Sequence, residues 1–419
     1  MMNSVLVLFL LVSCTAVLKR LDVESQVPRQ AQPAIEENTY CPRSATRTPQ
    51  LVGSNPSAQS AFTDFLRNVE DQKLDFREKS VLWALLQVNI RPDLASPTAR
   101  LQFLIREKQT TLYRDFVSSE SEQASFPFFE GLAYLLKDHP RRRPLAWYAN
   151  LLDERFKAEL VAGKTLELRL RDMSEAIAGQ EDLRRHFFRG DELLRESERL
   201  SRVRFKKIVS QWQAARKNGP MNEALFSYRR TPDLDVRCNY DFTLYDNSIF
   251  LIDKEENPGH LFGLTLGDDS MLAVVAQLTP EPRSLFGEPV LAGSAKVRSS
   301  AFCVIKSKLN EVWIAANQSR DPGQHVYHLF RYGLTRADKP TDILRLLRHA
   351  RHMFLSDPLR LVIESARGRD EQVQELLKLN VPIYNAQAIG NIWSWANFAN
   401  EGGRFYIDDR NPGALFCAP

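Results

Sequence analysis

Four of the seven histidines fall within 28 residues, at a spacing that could hold a metal ion. His325 and His328 form one H-x-x-H pair, and His349 and His352 form another. Residues three apart share a helix face, so each pair could turn two imidazoles toward one cation. Neither pair has the glutamate of an H-E-x-x-H arrangement, and Arg345, Arg348 and Arg351 surround the second pair with positive charge. Solvated or capping imidazoles are therefore expected, with no metal and no cofactor. His325 and His328 stand as candidates for proton transfer.

Two loops are candidates for ligand binding. Ser319-Arg320-Asp321-Pro322-Gly323 follows the end of an expected strand, where α/β proteins often bind ligands, which singles out Arg320. Residues 384–400 carry Trp393, Trp395 and Phe398 among asparagines and alanines. Such a loop could line a sugar- or lipid-accepting groove through Trp393 and Trp395, or anchor itself on the core. Asp268-Asp269 after Gly267 reads as hairpin chemistry rather than an acidic site. Between Arg184 and Lys217 basic residues crowd together, with Glu192, Glu196 and Glu198 interleaved. Ion pairing on a solvated face accounts for this pattern. A surface for anionic lipid headgroups or another polyanion is the alternative.

The elements that must position these groups divide the chain in two. Apolar residues recur at helical spacing through residues 57–218, in candidates at 57–69, 81–90, 97–117, 126–137 and 144–156, then two charged helices over 158–217 broken near Gly179 and Gly190. Prolines punctuate these units, since proline lacks an N–H and clashes with the preceding turn. Beyond the breaker Lys217-Asn218-Gly219-Pro220, β-branched and aromatic runs take over. Strands expected at 312–316, 359–363, 381–384 and 405–407 alternate with helices at 341–353 and 370–379, which implies parallel pairing through right-handed crossovers. The expected fold is an N-terminal all-α array over 57–218 followed by a C-terminal α/β layered domain over 232–419.

Within Gly402-Gly403-Arg404-Phe405-Tyr406-Ile407-Asp408-Asp409, Arg404 and Asp409 can be laid on the lysine and aspartate positions of a His-x-Lys-x4-Asp motif, with Gly402 at the histidine. Together with the element order, residues 300–412 thus resemble half of the phospholipase D-like superfamily. The resemblance implies a phosphodiester-handling ancestry in which the nucleophilic histidine is gone, taking the covalent chemistry with it. Arg404 would still pair with a phosphate, and Asp409 remains a catalytic candidate.

The N-terminus supplies the address. An apolar run from Val5 to Val12 closes in Leu11-Val12-Ser13-Cys14, which resembles a bacterial lipoprotein signal: residues 1–13 would be removed and Cys14 lipidated. The n-region lacks Lys and Arg, and cleavage after Ala16 as plain secretion is the competitor. The Gln-, Pro- and Ser-rich residues 14–56 read as a disordered tether. A net charge of +4 over 419 residues gives no argument for a nucleic-acid partner. Cys41, Cys238, Cys303 and Cys417 permit two disulfides. Cys303, in an apolar run, reads as a buried free thiol, and Cys41 as bridged to Cys238 or Cys417. The expectation is an exported, lipid-anchored protein of the bacterial periplasm or cell envelope, meeting anionic headgroups or an envelope protein. Its role is non-catalytic binding or scaffolding, with hydrolysis of phosphodiesters or envelope polymers as the alternative.

Overall fold

Asn55, Asp75 and Asp321 each precede a helix, and each side chain takes up backbone N–H groups that the first turn leaves without partners. Asn55 accepts from Ala58 N–H at 3.1 Å ahead of α1 (Pro56–Asn68), and Asp75 closes a capping box with Glu78 at the start of α2 (Phe76–Ile90). Then come α3 (Pro127–Leu136), α4 (Leu145–Arg155), α5 (Lys164–Asp172), α6 (Ser174–Ala178), α7 (Glu181–Phe187) and α8 (Phe205–Ala215). Asp321 caps α9 (Pro322–Arg331), and α10 (Pro340–Leu347) follows. Proline opens α1, α3, α9 and α10, where its missing N–H costs nothing.

The computed structural model describes residues 50–117, 125–215, 223–242, 251–252, 259–266, 270–295, 297–356, 359–368, 374–376, 378–398, 402–410 and 414–417. Cys14, Cys41, Asp268 and Asp269, the expected signal peptide and nearly all of the tether lie outside these residues.

Twelve strands form two antiparallel six-stranded sheets. In chain order they are β1 (Gln50–Gly53), β2 (Arg100–Glu107), β3 (Thr110–Phe116), β4 (Phe226–Thr231), β5 (Leu234–Cys238), β6 (His260–Thr265), β7 (Ser270–Gln277), β8 (Ala301–Ser307), β9 (Asn310–Asn317), β10 (Asn391–Phe398), β11 (Gly402–Ile407) and β12 (Ala414–Cys417). Sheet 1 runs β12-β1-β6-β7-β2-β3, and sheet 2 runs β11-β10-β9-β8-β5-β4. Sheet 1 therefore draws strands from both sides of the expected boundary between residues 218 and 232.

Alternation along each strand sorts side chains between two faces. Val52, Leu104, Leu261, Met271 and Val275 of sheet 1 meet Phe302, Val304, Trp313, Trp393, Trp395, Phe405 and Ile407 of sheet 2 in one buried cluster. The opposite face of sheet 1 packs under α1 to α8 through Leu101, Phe103, Phe262, Leu264 and Val274. That of sheet 2 packs under α9 and α10 through Ile314, Val326, Leu344, Ile392 and Tyr406. The result is a four-layer α–β–β–α sandwich. A four-stranded sheet, with residues 383–385, 359–363, 352–356 and 251–252 in that order, and an antiparallel hairpin of residues 279–285 and 288–294 stand beside it. Among the described residues, no helix is long and apolar enough to cross a membrane.

A mixed α/β fold is observed, with corrections to its expected arrangement. Residues 97–117 form the β2–β3 hairpin, not a helix. Both faces of β2 are buried, so its residues read as a nearly continuous apolar run that also satisfies helical spacing. Its two-residue turn, Lys108-Gln109, lacks the Asn-Gly signature, although Lys108 adopts φ +58°. The expected long helices over 158–217 are α5 to α8 plus a short hairpin at residues 188–193. In the C-terminal half, strands β8 to β11 are antiparallel neighbours, and parallel pairing is confined to the edges of the four-stranded sheet. Cys303 is not a free thiol; it forms a disulfide with Cys238, its register partner on β5. The side chain of Cys417 lies outside the described residues.

Candidate active or binding site at the polar end of the sandwich

The inter-sheet layer is apolar along most of its length and polar at one end. Because Ala316 and Ile392 face the helices, alternation turns their neighbours Asn317 and Asn391 between the sheets, where the two stand opposite each other in register. Ser300, just ahead of β8, continues the same row. From sheet 1, Gln102 accepts from Ser300 N–H at 2.8 Å, and Tyr113 Oη accepts from Asn239 Nδ2 at 2.9 Å. Arg100 is paired with Asp115 below them. Gln318 Nε2 donates to Gly259 O at 2.7 Å, a further link between the sheets. A Cβ at Gly259 would stand 2.7 Å from Asn317 Nδ2, so only glycine leaves room for this amide.

Several buried atoms here have no partner among the described residues: both amide atoms of Asn317, Asn391 Nδ2, Ser300 Oγ, Arg320 Nη1, Gln324 Oε1 and His325 Nδ1. Each such group costs about 1–3 kcal/mol if left dry. Their concentration at one end is the feature that a ligand or bound water would explain.

Beyond β9 the chain turns through Gln318 at φ +57° into α9. Ser319 Oγ lies 2.6 Å from His325 Nε2 and accepts from Asp321 N–H at 3.2 Å. His325 is buried, and loss of solvation, followed by the charge of Arg351, holds its pKa well below the ordinary imidazole range. The neutral ring can take a proton from Ser319 at Nε2. Gly390, at φ +64°, backs this pair: a Cβ there would stand 2.8 Å from Ser319 Cβ. Arg351 donates to the carbonyls of Ile389 and Gly390 at 3.0 and 3.2 Å, fixing that glycine.

Arg351 in turn belongs to a buried quartet. Its Nη2 pairs with Asp408 at 2.5 Å; Arg410 pairs with Asp408 at 2.9 Å and with Glu364. Burial opposes the charge on Asp408, yet the two guanidiniums hold its carboxyl below the usual range. Burial brings Arg351 down to about 10. Two cations and two anions make the quartet neutral, and it positions Gly390 behind the Ser319–His325 contact.

The sequence candidates are dispersed differently from expectation. His328 stacks on His352 with ring centroids 4.4 Å apart, His349 stacks on Tyr332 at 3.9 Å, and His325 stands edge-on to His328 with its Nε2 against Ser319 Oγ. Burial lowers the pKa of His328 well below the ordinary value and that of His352 to about 4. Arg320 does lie at the polar end. Trp393 and Trp395 are not in a loop: both sit on β10 in the inter-sheet core, at 3% and 1% exposure, and neither lines a groove. Arg404 is buried on β11, whereas Asp409 is exposed and pairs with Arg367 at 2.8 Å. Sequence reasoning missed Asn317, Asn391 and Ser300. A polar residue ending an apolar strand was the available signal.

One cluster among the described residues has donor atoms close enough for a cation: Asp75, Glu78 and His139. Glu78 already accepts from Arg141 at 2.9 Å, Tyr148 at 3.0 Å and Asp75 N–H at 3.0 Å, and His139 contacts Asp75. Two arginines on one buried carboxylate mark a structural lock at the start of α2 rather than a metal site.

No protein family profile and no curated protein matches this chain. Solved structures share its architecture, among them LmbA2991T421A and LmbA2991HD, each of which superposes with a TM-score of 0.64 over 90% of this chain and 99% of its own, at 10% identity. The similarity defines the class, a four-layer sandwich of two antiparallel sheets, and carries the fold alone.

Proposed function

We propose that the protein is an exported, lipid-anchored envelope protein that binds a neutral polar ligand, of the sugar class found in envelope polymers, at the polar end of the sandwich. One observation carries the reading: in the buried row Ser300, Asn317 and Asn391, the Ser300 hydroxyl, both amide atoms of Asn317 and Asn391 Nδ2 offer donors and acceptors together that no described protein group satisfies, while Asn391 Oδ1 accepts from Trp393 Nε1 at 3.2 Å. Carboxamides and hydroxyls match sugar hydroxyls in both roles. The disulfide between Cys238 and Cys303 fits an oxidising compartment outside the cytoplasm, and the Cys14 motif supports the anchor. Calorimetric titration of the full chain with N-acetylglucosamine oligomers tests the site. Saturable binding that disappears in Asn317→Leu, with the melting temperature preserved, is expected. Absence of binding, or binding indifferent to Asn317→Leu, refutes it. Failure of labelled palmitate to enter the chain would refute the anchor.

A second reading is favoured by the Ser319–His325 contact. A serine hydroxyl 2.6 Å from a neutral imidazole is the pairing a serine hydrolase uses, and the two asparagine amides stand in the same end of the sandwich to receive a developing oxyanion. Covalent capture of Ser319 by a fluorophosphonate probe, abolished in His325→Gln, would establish this reading. No labelling of Ser319 would dismiss it.

A further inference from the structure

On the outer helical layer, far in sequence from the polar end, a pocket of about 470 Å³ opens between the end of α4, α7 and the segment leading into α8. Five permanent cations line it, Lys157, Arg185, Arg189, Arg199 and Arg202, against a single carboxylate, Glu159. Its floor is apolar: Phe156, Leu160, Leu200 and Phe205 are buried beneath the charges.

The pocket is built, because its two central arginines are held by backbone. Arg202 Nη2 donates to the carbonyls of Asp153 and Phe156 at 2.8 and 2.7 Å. Arg189 donates to His186 O at 3.3 Å, Phe188 O at 3.1 Å and Arg199 O. Carbonyls orient a guanidinium without cancelling its charge. Among the described residues neither arginine has a carboxylate within ion-pair distance, and Lys157 likewise contacts only Asp153 O, at 3.4 Å. Arg199 is paired with Glu159 at 2.8 Å, and Arg185 with Glu181 at 3.1 Å and Asp182 at 3.9 Å, all in exposed geometry that a competing anion can displace. The basic run noted in the sequence is thus only partly a solvated, self-paired face.

We propose that this pocket binds a phosphate-bearing ligand, the phosphate meeting Arg189, Arg202 and Lys157 and an adjoining apolar portion lying on Phe156 and Leu200. Guanidiniums suit phosphate because their planar donors match its oxygens in pairs. A lipid headgroup and a soluble phosphoester share this chemistry, and the experiment separates them.

The full chain is titrated with glycerol 3-phosphate, and in parallel is floated with vesicles of phosphatidylglycerol or of phosphatidylcholine. The same measurements are made on Lys157→Gln/Arg185→Gln, which spares the two arginines bonded to backbone. Saturable glycerol 3-phosphate binding, weakened about tenfold in the variant, assigns a soluble phosphoester. A preference for phosphatidylglycerol vesicles that the variant loses assigns a headgroup; a lipid anchor alone would favour neither vesicle. Absence of both forms of binding, or binding unchanged in the variant, overturns the proposal. Sugar binding at the polar end is unaffected by this variant, so the two sites fail independently.

Discussion

Cys238 and Cys303 face each other on β5 and β8, fully buried in the core between sheet 2 and α9. Their bond joins residues 65 apart in sequence. In the chain-entropy treatment a 15-residue loop is worth about 3 kcal/mol and a 100-residue loop about 4.7 kcal/mol, so this closure is worth about 4 kcal/mol. Reducing the wild-type chain removes that constraint and leaves both sulfur atoms in place. Cys238→Ala/Cys303→Ala removes it and also empties core volume, adding on the order of 1 kcal/mol. Urea unfolding at neutral pH, with and without reductant, should therefore rank oxidised wild type above reduced wild type, with the double variant lowest and its shift on reduction smaller by the contribution of this bond. Cys303→Ala alone should match the double variant closely, since either change breaks the same bond. A wild-type midpoint that does not move on reduction refutes the reasoning. So does peptide mapping that finds these two thiols free, or either one joined to Cys41.

Three other outcomes follow from the interior. His260 Nε2 donates to Gln87 Oε1 at 2.9 Å, and both His260 and His325 are buried with pKa values held well below the ordinary range by loss of solvation. The unfolded chain takes up protons on them below about pH 6.5 while the folded chain does not, so stability is full above that pH and falls as acid is added; each ring still neutral at pH 5 costs about 2 kcal/mol there, which denaturant titrations across pH would register. Asp408→Ala leaves Arg351 buried without its carboxylate and Arg410 with Glu364 alone, and should cost about 3–5 kcal/mol in thermal or urea unfolding, whereas Asp409→Ala, which removes a partly exposed ion pair with Arg367, should cost only about 1 kcal/mol. Gly390→Ala places a Cβ against Ser319 in a left-handed backbone position; a loss of about 1–3 kcal/mol is expected, together with loss of whichever activity the Ser319–His325 pair supports, read by unfolding and by probe labelling.

How much of this was legible in the sequence depended on how many faces of an element are buried. Residues 126–137 and 144–156 read as helices and form α3 and α4 within a residue or two, because prolines mark their starts and apolar residues follow at helical spacing. Strands β7, β8 and β9 were also readable as β-branched runs. Strand β2 was not, since it lies between two cores and shows no alternation for a reader to count. Strand β10 misled for a different reason: asparagines and a serine among its tryptophans resemble a loop, yet Ser394 and Asn391 are buried on the strand itself. Parallel pairing was inferred from element order, but the helices after β9 lead out to the separate four-stranded sheet rather than back beside β9. At the site, His325 and Arg320 were legible from their types. Asn317, Asn391 and Ser300 were not, because their significance lies in register and in side-chain atoms without partners among the described residues, which only the assembled sheets reveal.

Strand β1 lies between β12 and β6, with Gln50 opposite both Cys417 and Thr265. During folding, this four-residue ribbon has no long-range partner until residues 260–265 arrive, and its outer edge stays open until residues 414–417 do. Closing pairings across such spans is entropically slow, and the open edge meanwhile exposes unpaired backbone. Assembly of sheet 1 thus depends on segments more than 200 residues apart in the chain. A chain shortened ahead of β12 would therefore be expected to keep its helices and lose its solubility.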